Sequence, residues 1–191
     1  SLMYAYSENF ILVLSHDEVV HLKCSMLGKM PGDREDKFAN LKLAYAYMCG
    51  HPGKKLLFMG QEFGQWNEWS EKRSLDWYLL EDESHKELKD FTSACLKLNK
   101  NYRCLYETDY NSEGFRWINA NDKDNSVFSF IRISPDKKKH LLFVLNFTPV
   151  ERPSHRIGVP IKGKYKLVLG DDMKNQQKII ASEKGECDGY G

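Results

Sequence analysis

Residues 11–21 read Ile11-Leu12-Val13-Leu14-Ser15-His16-Asp17-Glu18-Val19-Val20-His21. Four apolar residues run without interruption and polar ones then arrive together. An unbroken apolar run of this length, closed abruptly by charge, predicts a strand from about Phe10 to Leu14 that is buried on both faces. In parallel α/β folds, chemistry is placed just past the C-terminal ends of such strands, where Ser15 to Glu18 stand. Neighbouring residues on extended chain point to opposite sides, so Ser15, His16 and Asp17 cannot form a nucleophile–base–orienter chain. They suit hydrogen bonding to a polar ligand instead.

Downstream, Glu18 to Asp33 reads as a long loop carrying Gly28, Pro31 and Gly32, and long loops in compact domains are usually functional. Lys29 follows Gly28, but the spacing of a phosphate-binding loop is missing. Asp33 is placed to cap a helix over about Arg34–Cys49, in which Phe38, Leu41, Tyr45 and Met48 form one apolar stripe. Gly50 and Pro52 should end that helix. Lys54 to Met59 is a second short apolar run, closed by Gly60 and predicted to be a buried parallel strand. Strand, helix and strand make one βαβ unit. The second strand also leads into a polar and aromatic loop, Gly60 to Trp69. Two such strands fit a (β/α)8 barrel or a doubly wound sheet equally well.

Ser84-x-x-Glu87, after the acidic run Glu81–Glu83, predicts a capping box and a helix over about Ser84–Asn99, with Leu88, Phe91, Cys95 and Leu98 on one face. From about Leu105 the pattern changes to short β-rich runs at 115–119, 126–134, 140–147, 163–169 and 178–181. Turn clusters such as Asn121–Asn125, Pro135–Lys139 and Gly170–Asp172 separate them. That alternation predicts an antiparallel sandwich. Within it Val127, Ile131 and Ile133 share one face, and Phe128, Phe130 and Arg132 the other. The basic run Lys137–Lys139 reads as a solvated hairpin tip.

Ser15 to His21, followed by Gly28-Lys29-Met30-Pro31-Gly32-Asp33, resembles the glycogen branching enzymes of the α-amylase clan. Arg73-Ser74-Leu75-Asp76-Trp77 is similar to the same family. Two positions depart from it: Val13 stands where members usually have Pro, and Leu22 where they usually have Gly. Leu22 puts a large side chain where none is usual, so the backbone there is expected to differ.

The resemblance implies a fold and a set of roles. Residues 1–104 would be the last two strand–helix units, strands seven and eight, of a (β/α)8 barrel, with Ser1–Asn9 leaving the sixth barrel helix. Residues 105–191 would be an antiparallel C-terminal β-sandwich domain, cut short near Glu186–Gly191. Asp17 would accept hydrogen bonds from two hydroxyls of the glucose whose bond is cleaved, stabilising an oxocarbenium-like transition state. Two charge-assisted hydrogen bonds of about 1.5–3 kcal/mol each are enough for a large rate effect. His16 would contact a neighbouring hydroxyl or simply buttress Asp17. Glu62 would be an acceptor behind the residues that touch sugar. Trp66, Trp69 and Trp77 would stack on glucan or pack under their loop, and Asp76 would bind substrate beside Trp77. His21 and Lys23 fit loop structure better than contact with sugar.

The family's nucleophilic Asp and acid/base Glu lie on barrel strands four and five. Glu18, Glu62 and Glu68 match neither motif, so residues 1–191 are expected to be inactive alone. The implied activity is transfer of an α-1,4-glucan segment to a 6-hydroxyl, with glycogen or amylose as partner and without cofactor or metal. Two alternatives stay open: a related α-glucan hydrolase or debranching enzyme, and a noncatalytic glucan-binding module.

Composition is compatible with this. A net charge of +1 over 191 residues argues against nucleic acid or an anionic membrane as partner. No apolar run approaches the roughly 18 residues of a membrane helix, and the N-terminus lacks a signal-peptide pattern. The five cysteines are scattered and show no metal-site spacing, as expected of reduced thiols in a cytoplasmic protein.

Overall fold

The computed structural model describes residues 2, 5–153, 155–161, 163–170 and 178–181, the last four by backbone alone. The expected truncation near Glu186–Gly191, the fifth cysteine, Cys187, and the turn residues Asp171 and Asp172 lie outside them.

Strand β1 (Ile11–Leu14) pairs in parallel with β2 (Lys54–Leu57), in the register Ile11↔Lys54 to Leu14↔Leu57. The βαβ unit is thus present, with each strand slightly shorter than expected. Burial on both faces is not. Leu14 and Leu57 pack against the core, whereas Ile11 (55% exposed) and Val13 (52%) look outward with Leu56. The physical reason is the pleat: alternate residues leave opposite faces, and the helices cover only one of them.

The loop after β1 holds a short helix, α1 (Met26–Lys29), which the sequence did not suggest; the Ser25 hydroxyl caps it, accepting from Gly28 N–H at 3.0 Å. Helix α2 (Arg34–Gly50) opens at Asp33 with a reciprocal capping box, Asp33 to Asp36 N–H and Asp36 back to Asp33 N–H. This satisfies two of the donors that a helix start leaves unpaired. Phe38, Leu41 and Tyr45 are buried as the stripe predicts.

Gly50 does not stop α2 but is its last residue. A Cβ there would lie 2.7 Å from the Phe143 ring and 2.8 Å from the Phe130 ring. Close approach of the sheet to the helix, not helix termination, accounts for this glycine.

Helix α3 (Glu83–Asn101) begins one residue earlier than the expected Ser84-x-x-Glu87 box. Its cap is Asp82, whose carboxylate accepts from Ser84 N–H at 2.9 Å and from Arg34 Nη2 at 2.7 Å. A charged acceptor that also ties down the start of α2 outcompetes a serine hydroxyl. Helices α2 and α3 close a core of Leu27, Phe38, Leu41, Tyr45, Leu88, Phe91, Cys95 and Leu105. The expected boundary between residues 104 and 105 falls inside the 3-10 turn Arg103–Leu105, where Cys104 and Leu105 are themselves part of that core.

The rest is β structure. Strands β3 (Phe115–Asp122), β4 (Val127–Ile133) and β5 (His140–Asn146) form an antiparallel meander, and β6 (Gly163–Lys166) pairs with β7 (Lys178–Ala181). Antiparallel pairing is as expected. Phe115, Phe130 and Leu145 pack on Leu43, Ala46 and Tyr47 of α2, so the inner face of the meander meets a helix. Central strand β4 is buried on both sides, and its largest fully buried side chain is Arg132. The guanidinium donates to Asp109 Oδ1 (2.8 Å), Gly50 O (2.9 Å) and Gly114 O (3.2 Å). It therefore bolts the meander to the C-terminal end of α2.

Candidate active site

Parallel pairing brings the C-terminal ends of β1 and β2 side by side. Phe58 N–H donates to Leu14 O (3.0 Å) and Gln61 Nε2 donates to the same carbonyl (3.3 Å). The segments carrying His16–Asp17 and Gln61–Glu62 therefore leave from one edge.

Directly after β1 the chain makes a 3-10 turn, His16–Glu18. The Ser15 hydroxyl accepts from Asp17 N–H (3.2 Å) and lies 3.4 Å from Asp17 Oδ2, to which it donates. His16 Nε2 is 3.3 Å from Asp17 Oδ1, and both side chains face solvent. The His16 ring rests near Phe58 (5.9 Å). Asp17 is thus an exposed carboxylate with a histidine on one oxygen and a serine on the other, leaving lone pairs for a polyhydroxylated ligand.

The remaining candidates sit in the loop after β2. Glu62 Oε2 accepts from Gly60 N–H (2.7 Å), so this carboxylate turns back on its own loop. Tyr45 donates its hydroxyl to Gln61 O (2.9 Å), and burial, reinforced by the Glu62 charge, raises its pKa above the ordinary phenol value. Asp76 Oδ2 accepts from Asn67 Nδ2 (2.8 Å), and Asp76 N–H donates to Gln65 Oε1 (3.0 Å). Trp66 meets Phe38 (6.1 Å) and the buried His85 (5.9 Å) edge-on. Trp77, about half exposed, leans on Phe63 (5.2 Å), and Trp69 is edge-on to Phe58 (5.1 Å). Trp66 and Trp77 each have part of the ring lodged in the loop and part open to solvent.

One residue set aside in the sequence has a large part in the geometry. Glu68 Oε2 accepts from Leu22 N–H (3.1 Å) and Oε1 from Cys24 N–H (2.6 Å), and Trp69 N–H donates to Val19 O (3.0 Å). His21, Leu22 and Cys24 all have left-handed backbones, φ 56°, 67° and 63°. For residues other than glycine each such conformation costs about 1–2 kcal/mol. Leu22 thus holds a strained backbone of the kind that glycine adopts freely, with its side chain 96% exposed. Nothing local in the sequence links Glu68 to residues 22 and 24; only the pairing of β1 with β2 does. Lys23 Nζ donates to Asp17 O (2.8 Å), and Lys29 Nζ bonds Glu18 O and lies 3.8 Å from the Glu18 carboxylate.

Among the described residues no cluster of three His, Cys, Asp or Glu is arranged to hold a metal, and no helix is long and apolar enough to cross a membrane. The described cysteines, 24, 49, 95 and 104, are unpaired thiols.

Residues 117–190 match the family described as the alpha amylase C-terminal all-beta domain. The chain is 51% identical to the 1,4-alpha-glucan branching enzyme GlgB of Butyrivibrio fibrisolvens, across 98% of its own length and 30% of the relative's. It is 53% identical to the enzyme of the same name from Thiobacillus denitrificans, across 90% of the chain and 23% of the relative. For that of Aquifex aeolicus the identity is 49%, across 91% and 28%. The chain thus spans less than a third of the length of the curated relatives it matches. The likeness runs through both the βαβ unit with its loops and the β-strands that follow, so that over the residues shared the chain is similar throughout to 1,4-alpha-glucan branching enzymes.

Proposed function

We propose that these residues serve a branching enzyme that cuts an α-1,4 bond in a glucan and transfers the freed segment to a 6-hydroxyl. In this reading residues 1–104 are the end of a (β/α)8 barrel, with β1 and β2 as strands seven and eight and α2 and α3 as their helices. Residues 105–191 are the C-terminal β-domain. Its partner is an α-glucan such as glycogen or amylose. The reaction needs no cofactor, and the setting is the cytoplasm. The nucleophile and the acid/base would come from the parts of the longer protein to which residues 1–191 do not correspond.

The observation that carries the reading is the exposed His16–Asp17 pair at the C-terminal edge shared by two parallel strands, in a chain about half identical to branching enzymes throughout. Asp17 would accept hydrogen bonds from two hydroxyls of the reacting glucose, and these strengthen as the ring approaches an oxocarbenium ion. His16 would donate to an adjacent hydroxyl. Trp66 and Trp77 would offer their open ring faces to neighbouring glucose units, with Asp76 hydrogen-bonding beside them and Glu62 fixing the loop from behind.

The test uses the full-length enzyme. Wild type should create α-1,6 branches in amylose. Asp17→Ala should lower turnover by roughly 10²–10⁴-fold, because two hydrogen bonds of about 1.5–3 kcal/mol are lost and each 1.4 kcal/mol is tenfold. Glucan binding should weaken far less, since remote subsites remain. New reducing ends without branches would indicate a hydrolase, and near-normal turnover by Asp17→Ala would remove the transition-state role.

A further inference from the structure

We propose that Glu68 is a positioning residue for this reaction: from the loop after β2 it holds the loop after β1 in its left-handed shape, and thereby sets the backbone of Asp17. The proposal rests on the functional reading above and adds a residue to it.

The argument starts from the strained segment. Three of the four residues from His21 to Cys24 are left-handed, and none of them is glycine. The exposed Leu22 makes no packing that could hold them there. Successive amides in such a conformation point their N–H groups inward and form a concave anion site. Its occupant here is the Glu68 carboxylate, one oxygen on Leu22 N–H and the other on Cys24 N–H. Glu68 is in turn fixed, since Arg73 Nη2 donates to its carbonyl (2.7 Å) and the next residue, Trp69, bonds Val19 O.

Between the two amides held by Glu68 stands Lys23, whose ammonium donates to Asp17 O. The chain of contact runs from Glu68 through the clamped amides and Lys23 to the main chain of Asp17. Release of the carboxylate lets the left-handed residues relax, carries Lys23 away and frees the 3-10 turn that aims Asp17. A shift of about 1 Å in a catalytic group is enough for a rate loss of order 100-fold.

The experiment measures kcat and KM for branching of amylose, together with the melting temperature, in the full-length enzyme. Glu68→Ala should lower kcat roughly 100-fold with KM within about twofold of wild type. Glu68→Gln keeps one acceptor oxygen and nearly the same shape, so it should fold as wild type does and fall between the two. Lys23→Met should lower kcat in the same sense with the clamp intact. The double variant Glu68→Ala/Leu22→Gly separates positioning from bulk support, because glycine tolerates the left-handed region. It should regain melting temperature over Glu68→Ala without regaining kcat. Recovery of kcat together with stability would overturn the proposal, as would a Glu68→Gln or Glu68→Ala enzyme with kcat within about threefold of wild type. A wild-type enzyme that makes no branches would reject the functional reading instead.

Discussion

Replacing Arg132 with Met should be among the most damaging single changes in this chain. The guanidinium and the Asp109 carboxylate are both essentially inaccessible, 0% and 1% exposed, and 2.8 Å apart. Met keeps the length and apolar bulk of the side chain but removes every donor. Asp109 is then left with Lys54, whose ammonium stands 3.2 Å from Oδ2 at the protein surface. Removing one partner of a buried pair costs about 3–5 kcal/mol. The carbonyls of Gly50 and Gly114 lose their donor too, and a buried polar group without a partner costs about 1–3 kcal/mol. Gly50 O belongs to the last turn of α2, where a cation also complements the helix dipole. These losses share neighbours and do not add fully, so the expected total is about 4–6 kcal/mol. That is comparable to the whole stability of a marginal domain. Native-state hydrogen exchange of the β3–β5 amides in the full-length protein reads this locally. The companion variant Arg132→Met/Asp109→Leu should recover at least about 1 kcal/mol over Arg132→Met, because it removes the orphaned carboxylate. A loss below about 1 kcal/mol for Arg132→Met, or no recovery in the double variant, would refute the reasoning.

Burial pushes the Lys55 ammonium down to about 8, against the pull of Asp109, while its Nζ donates to the carbonyls of His51 (2.6 Å) and Gly53. The unfolded chain then binds the proton more tightly than the fold between about pH 8 and pH 10.5, so stability relative to Lys55→Met should rise across that window, on the order of 2–3 kcal/mol; a difference between the two proteins that stays flat from pH 7 to 10.5 in denaturant unfolding would defeat this. Gly64 has φ +68° and a Cβ there would stand 2.7 Å from Leu88 Cδ2, so Gly64→Ala should cost about 2–3 kcal/mol through backbone strain plus overpacking. A melting temperature within a degree of wild type would show that Leu88 yields freely.

How much of this could be read from the chain alone differs by the range of the interaction. Apolar runs, the stripe of α2 and the turn clusters are local signals, and β1, β2, α2 and most of β3–β5 fall near where those signals put them. The exposure of Ile11 and Val13 was not legible, since a continuous apolar run says nothing about which neighbours cover it. A serine–glutamate spacing that fits a capping box points to Ser84 as the start of α3. What decides in favour of Asp82 is Arg34, which is distant in sequence. Arg132 looked like an ordinary residue of an alternating strand; only the approach of α2 and Asp109 turns it into a buried junction. For the candidate site, the shared edge of the two loops follows from the strand grammar, whereas the side chains and amides that organise it, Glu68, Leu22 and Cys24, are joined only through tertiary contact.

The parallel pairing of β1 with β2 also bears on the order of assembly. Before Leu14 can meet Leu57 the chain must close over everything from residue 15 to residue 56, including the whole of α2. The β3–β4 and β4–β5 hairpins close over only a few residues. Loop closure sets the tempo of folding, so the meander can form early, while the edge that carries His16 and Asp17 takes shape only after α2 is in place. A slowly assembling edge with apolar residues facing outward is the stage at which newly made chains would associate, and the yield of folded protein should depend on concentration most steeply there.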